Sequence, residues 1–125
     1  RDDIWFKLLG NATFNPISVL THATLEQMYR NKGVRDVIRQ MMAEVRDVAL
    51  MLGVEFSMDI EKRLHGTADV GAHKTSMLQD FEHRRPLELD TLVASVSEIG
   101  RMVDVPTPTI DTMLALVRLR IGVDL

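Results

Sequence analysis

Apolar residues recur at intervals of three and four along almost the whole chain, the period of an amphipathic helix. No stretch alternates with the period of two that a half-buried strand requires. The clearest run is Val34, Val37, Ile38, Met41, Met42, Val45, Val48, Ala49 and Leu52. It predicts one long helix, with Gly53 ending it where a left-handed cap is usual. A first helix is expected from about Asp2 toward Leu20, its two aspartates at the positive end of the helix dipole. Pro16 lies inside that span and is expected to kink or break it just after Asn15. Thr24-Leu25-Glu26-Gln27 reads as a capping box, and Gly33 is expected to separate this short turn from the long helix. A shorter amphipathic piece follows from Ser57 to Leu64, then a polar loop through Gly66 and Gly71. Later helices are predicted from Thr75 or Ser76 to about His83, and from about Leu89 to Val103 with Leu92, Val96, Ile99 and Val103 inward. The last has Thr107 as N-cap and Pro108 in the first helical position, with Ile110, Met113, Leu114, Val117 and Ile121 as its buried face. The expected fold is therefore all-α, a single bundle of about six helices.

One feature runs against this pattern. Lys7, Asn11 and Asn15 recur every fourth position through the otherwise apolar stretch from Trp5 to Pro16. On a continuous helix they would share one broad face, about 6 Å apart along the axis. Burying an ammonium or an amide without partners costs at least about 1–3 kcal/mol. The row must therefore face either water or a polar ligand.

Composition narrows the classes of function. The 125 residues suit one domain, and 46% hydrophobic with 26% charged residues is an ordinary globular balance. A net charge of −3 with scattered lysines and arginines gives no footprint for nucleic acid. No apolar run approaches the roughly 20 residues that span a bilayer, and no signal peptide opens the chain. There are no cysteines, which excludes disulfides and thiolate metal sites and fits a reducing compartment. The four histidines, His22, His65, His73 and His83, do not pair at helical spacing, so surface or loop positions are expected and no metal site. The eight methionines read as core filler. Neither a Gly-x-Ser-x-Gly elbow nor a phosphate-cradling glycine loop occurs. The chain opens on Arg1, and Ile4-Trp5-Phe6 is already core-like, so it is expected to be part of a longer protein.

A second polar island runs from His73 to Asp80 and continues from Arg85 to Asp90. Ser76-Met77-Leu78-Gln79 fits a capping box, which makes Ser76 a helix start or, with the same geometry, a hydroxyl offered to a carboxylate or phosphate. Glu88 reads either as a first-turn acid favoured by the dipole or as a ligand acceptor.

Four blocks in order, Trp5-x-Lys7-Leu8-x-x-Asn11-x-x-x-Asn15, Lys74-Thr75-Ser76-Met77-Leu78-Gln79-Asp80, Arg85-Pro86-x-Glu88-Leu89-Asp90 and Val105-Pro106-Thr107-Pro108, resemble the C-terminal domain of ketopantoate reductase (2-dehydropantoate 2-reductase). Glu44 and Gly53 also fall where that family's long helix has a glutamate and a terminating glycine. The resemblance covers residues 1–125 and implies a helical domain like the C-terminal domain of 6-phosphogluconate dehydrogenase. It implies an N-terminal Rossmann domain outside this chain that binds NADPH, and reduction of 2-dehydropantoate to (R)-pantoate on the way to pantothenate. Lys7 then corresponds to the general acid, Asn11 and Asn15 to cleft residues that bind substrate, Ser76 to the carboxylate contact and Glu88 to the acceptor of the substrate hydroxyl. A cytoplasmic enzyme follows, with a small 2-oxo acid as partner, no nucleic acid or membrane, and room for a homodimer. The chain departs from the family pattern at Leu87, where a threonine is usual, at Arg84, often glycine, and at Ala94, commonly glycine. Leu87, beside Glu88, leaves open a related reductase of a different 2-oxo acid. A non-catalytic helical dimerisation module is the alternative from another class.

Overall fold

The computed structural model describes residues 2–54, 59–67 and 71–123. Among them are eight α-helices: α1 (Asp2–Asn11), α2 (Phe14–Thr21), α3 (Leu25–Arg30), α4 (Lys32–Met51), α5 (Ile60–Gly66), α6 (Ser76–Glu82), α7 (Ser95–Met102) and α8 (Pro108–Val123). A π-helical turn, Asp90–Ala94, runs directly into α7. No strand occurs among the described residues, and the all-α expectation holds. The start expected at Ser57 and part of the loop expected between Gly66 and Gly71 lie outside the described residues, as do the side chains of Asp2 and Asp3.

The helix count exceeds six partly because the first predicted helix is two. Its break falls at Ala12–Thr13, not after Asn15. Pro16 explains the displacement. A proline ring collides with the carbonyl four residues back, here that of Ala12, so the chain must leave the helix before the proline rather than after it. Pro16 then sits in the first turn of α2, where a missing N–H costs nothing. Thr13 stitches the break by donating from Oγ1 to the carbonyl of Leu9 at 2.7 Å. As a result Lys7 and Asn11 share a face of α1, while Asn15 belongs to a second, reoriented helix.

α4 is the centre of the core. Ile38, Met41, Met42, Val45, Val48 and Ala49 are fully buried, and α1, α3, α5, α7 and α8 all pack on it. Its start is Asn31, whose side chain accepts from the amide of Val34 at 3.0 Å. Gly33, expected as a separator, lies instead within the first turn. The end follows expectation: Gly53 takes φ 76°, its amide reaches Leu50 O and that of Val54 reaches Ala49 O, a full Schellman closure. The capping box of α3 is complete, with Thr24 and Gln27 exchanging both hydrogen bonds.

The start of α8 is capped from a distance. Thr107 precedes Pro108 as expected, but its hydroxyl donates to the Asp111 carboxylate at 2.9 Å instead of accepting. Glu44 of α4 takes the amides of Thr109 and Ile110 at 3.0 and 2.9 Å. Proline has no N–H to satisfy, so the two carboxylate oxygens meet the next two orphan donors. Gly100 lets the connector pass close over α7: a Cβ there would lie 2.8 Å from the carbonyl oxygen of Val105.

Candidate functional site

Lys7 is exposed on α1, and Asn11, one turn on, is half-buried. Asn15, in the first turn of α2, is only 5% exposed. Ser76 opens α6 and is exposed, and Glu88 is exposed in the segment that leads into the π-turn. α2 packs against both α1 and α6, and the π-turn that follows Glu88 packs against α1.

A buried hydroxyl chain fixes the α2–α6 junction. The amide of Leu78 donates to Thr75 Oγ1 at 3.0 Å, Thr75 and Ser18 hydroxyls lie 2.6 Å apart, and Ser18 donates to the carbonyl of Asn15 at 2.7 Å. Ser18 has one proton, already spent on Asn15, so Thr75 is the donor between the two hydroxyls. The N-cap of α6 is therefore Thr75, not Ser76. This corrects the capping expectation and releases the Ser76 hydroxyl for other work. Thr75 and Ser18 were missed because either of two adjacent capping residues could start the helix. Burial against Ser18 makes the choice.

None of the side chains of Lys7, Asn11, Asn15, Ser76 and Glu88 makes a hydrogen bond or ion pair with another described residue. The acids and bases elsewhere are commonly engaged: Lys74 and His22 hold Glu82, and Arg39 spans Glu61 and Asp36. The hydrogen bond from Lys74, then that from His22, holds the Glu82 carboxyl below its ordinary range. Asn15 is 5% exposed, and its amide atoms are not among the buried unpartnered ones, so the little surface it keeps includes the amide.

A further cation flanks α1. The Arg63 guanidinium lies 5.6 Å over the Phe6 ring and against Gly10, where a Cβ would come within 2.1 Å of Nη2. Burial pushes its pKa down, and its Nε is buried without a hydrogen-bond partner. Sequence reasoning offered no signal for Arg63, since the contact depends on the missing side chain at Gly10. The four histidines are all exposed. Among the described residues no group of His, Asp and Glu is placed to hold a metal ion. A groove of about 960 Å³ is lined by other residues than these five.

The profile of the family described as "Ketopantoate reductase PanE/ApbA C terminal" matches residues 1–120. The chain belongs to the ketopantoate reductase family. It is similar to the 2-dehydropantoate 2-reductase of Mesorhizobium japonicum, 53% identical over 118 residues, which are 94% of this chain and 36% of that protein. A Ralstonia solanacearum structure, provisionally a ketopantoate reductase, superposes with a TM-score of 0.90 at 49% identity and covers 97% of this chain and 36% of that one. A dimeric ketopantoate reductase from Staphylococcus aureus gives a TM-score of 0.79 at 29% identity, covering 96% of this chain and 43% of that one. The chain thus spans about a third of the length of the first two relatives. The three departures noted in the sequence now have a physical setting. Arg84 has φ 55°, a left-handed backbone that glycine adopts without strain. Leu87 packs half-buried against the core. Ala94, the third departure, is buried within the π-turn.

Proposed function

We propose that this chain is the substrate-side domain of an NADPH-dependent reductase that converts 2-dehydropantoate to (R)-pantoate. The reading rests on one observation: the side chains of Lys7, Asn11, Asn15, Ser76 and Glu88 have no partner among the described residues, and one of them, Asn15, is only 5% exposed. An N-terminal Rossmann domain outside this chain binds the nucleotide, in a cytoplasmic enzyme that forms a homodimer. The nicotinamide supplies a hydride to the carbonyl carbon when bound, and no glycine loop of this chain cradles its phosphates.

The chain's own residues do the rest. Lys7 donates a proton to the carbonyl oxygen as negative charge develops there, so hydride plus proton account for both atoms added across the C=O bond. Asn11 and Asn15 each offer two donors and an acceptor, enough to fix the substrate's oxygens against Lys7. The Ser76 hydroxyl, released by the Thr75 cap, donates to the substrate carboxylate, and Glu88 accepts from the distal hydroxyl. A second reading, reduction of a different 2-oxo acid, is favoured by Leu87, which replaces a hydroxyl next to Glu88 with an apolar side chain.

In the full-length protein, Lys7→Ala should lower kcat by about 10²–10⁴-fold, the usual share of a general acid, with the circular dichroism spectrum unchanged. Glu88→Ala should chiefly raise KM for 2-dehydropantoate. Unchanged turnover in the Lys7 variant removes that residue from the mechanism. If kcat/KM over a panel of 2-oxo acids peaks on another substrate, the second reading stands.

A further inference from the structure

Arg63, on α5, is a half-buried cation without a counter-ion among the described residues. Its guanidinium stands over the Phe6 ring and rests on the bare backbone of Gly10, both on α1. The acids nearest to it in sequence are spent elsewhere. Glu61 pairs with Arg39, and Asp59 caps α5 by accepting from the amide of Lys62. Burial pushes the pKa of Arg63 down, and no carboxylate pushes it back. Nε is sealed in without a partner, whereas the two terminal nitrogens, equally without partners, keep their access to the surface.

Its position on α1 gives this charge a meaning. Phe6 and Gly10 lie one turn apart, and Lys7 and Asn11 each follow by one residue, about 100° further round the axis. Arg63 therefore stands beside the column that carries the proposed proton donor and its neighbouring amide. The substrate of the proposed reaction has one carboxylate, assigned to Ser76, while Lys7 answers the charge that develops on the carbonyl oxygen. Arg63 is a permanent charge left over. Holding a guanidinium partly out of water is costly unless an anion meets it, and its planar fork suits a carboxylate or a phosphate.

We propose that Arg63 is a second anion-binding residue of the cleft wall, gripping an oxyanion of a ligand bound against α1. The inference rests on the reading of α1 as that wall. Two ligands can bring the oxyanion: the dinucleotide, through a phosphate, or a 2-oxo acid with a second carboxylate. Gly10 belongs to the device, since any side chain there would push the guanidinium off the helix.

The test uses the full-length protein with Arg63→Met, which keeps apolar bulk over Phe6 and removes the charge. NADPH affinity is read by fluorescence titration. Affinities of 2-oxobutanoate and 2-oxoglutarate, a monocarboxylate and a dicarboxylate, are read by calorimetry on the NADP+-bound protein. A phosphate occupant predicts NADPH binding weakened about tenfold or more in the variant, as for one charge-assisted hydrogen bond. A carboxylate occupant predicts the same loss for 2-oxoglutarate, with 2-oxobutanoate and NADPH unaffected. Gly10→Ala, which retains Arg63 and places a better helix former in α1, should weaken the same ligand. Arg63→Lys keeps the charge without the fork and should fall between parent and Arg63→Met. Unchanged affinity for NADPH and both acids in Arg63→Met overturns the proposal. A lower thermal midpoint with all three affinities intact also overturns it, because the charge is then matched inside the protein. These are binding measurements, so they remain readable if Lys7→Ala keeps full turnover, the result that removes the reaction assigned to Lys7.

Discussion

Asn15 is the residue whose environment says most: it is only 5% exposed, yet its amide has no partner among the described residues and keeps its access to the surface. An amide held that way adds no hydrogen bond to the fold and stands open to a ligand. Replacing it with leucine, of similar size and no polar atoms, should leave the thermal midpoint unchanged or raise it. The same substitution should cost kcat/KM about 10–100-fold in the full-length enzyme, the share of a hydrogen bond to a charged substrate. A marked fall in the midpoint would show that the amide supports the fold, and intact kcat/KM would remove it from the site. At this scale the proposed site residues Lys7, Asn11, Asn15 and Glu88 are legible in the sequence, because their polar chemistry stands out against apolar neighbours. Ser76 is less so, because Thr75 and Ser76 are equally good caps and the choice depends on Ser18, 57 positions away. Arg63 was illegible for a similar reason. A guanidinium resting on the bare backbone of Gly10 leaves no pattern in either segment.

Helix periods and terminators were legible along the chain, and the errors cluster where a residue acts at a distance. The break between α1 and α2 was placed by its cause, Pro16, when its effect falls four residues earlier on the Ala12 carbonyl. The start of α8 was given to Thr107, when the acceptors come from Glu44, 65 and 66 positions back. That long-range cap joins the core helix to the last helix, and its removal should be costly. Glu44→Ala leaves two amides without their acceptor and should lower unfolding free energy by about 1–3 kcal/mol in denaturant titration. Glu44→Gln keeps one acceptor oxygen and should lose less. Equal stability of the alanine variant and the parent would mean that water caps α8 as well as Glu44 does.

On the proposed reading, the whole molecule offers one wall of a reaction site. Its core is complete, since residues from α1 through α8 share a single buried cluster around α4, so the chain has the means to fold alone. Its proposed site is not complete, since Lys7, Ser76 and Glu88 face outward and the 960 Å³ groove is lined by none of them. Periodicity revealed the first property, because a helix must bury its apolar stripe against something in the same chain. The second was hidden from periodicity, which cannot show what an exposed polar face is turned toward; only the spacing of the four family blocks pointed there. The 125-residue chain expressed by itself should therefore unfold cooperatively yet oxidise no NADPH with 2-dehydropantoate, because a proton donor without an aligned hydride donor accelerates nothing. Adding the separately expressed N-terminal portion should restore some turnover, saturating with its concentration and absent when the helical chain carries Lys7→Ala. Turnover by the helical chain alone would place the nucleotide site within these residues and remove the two-domain reading.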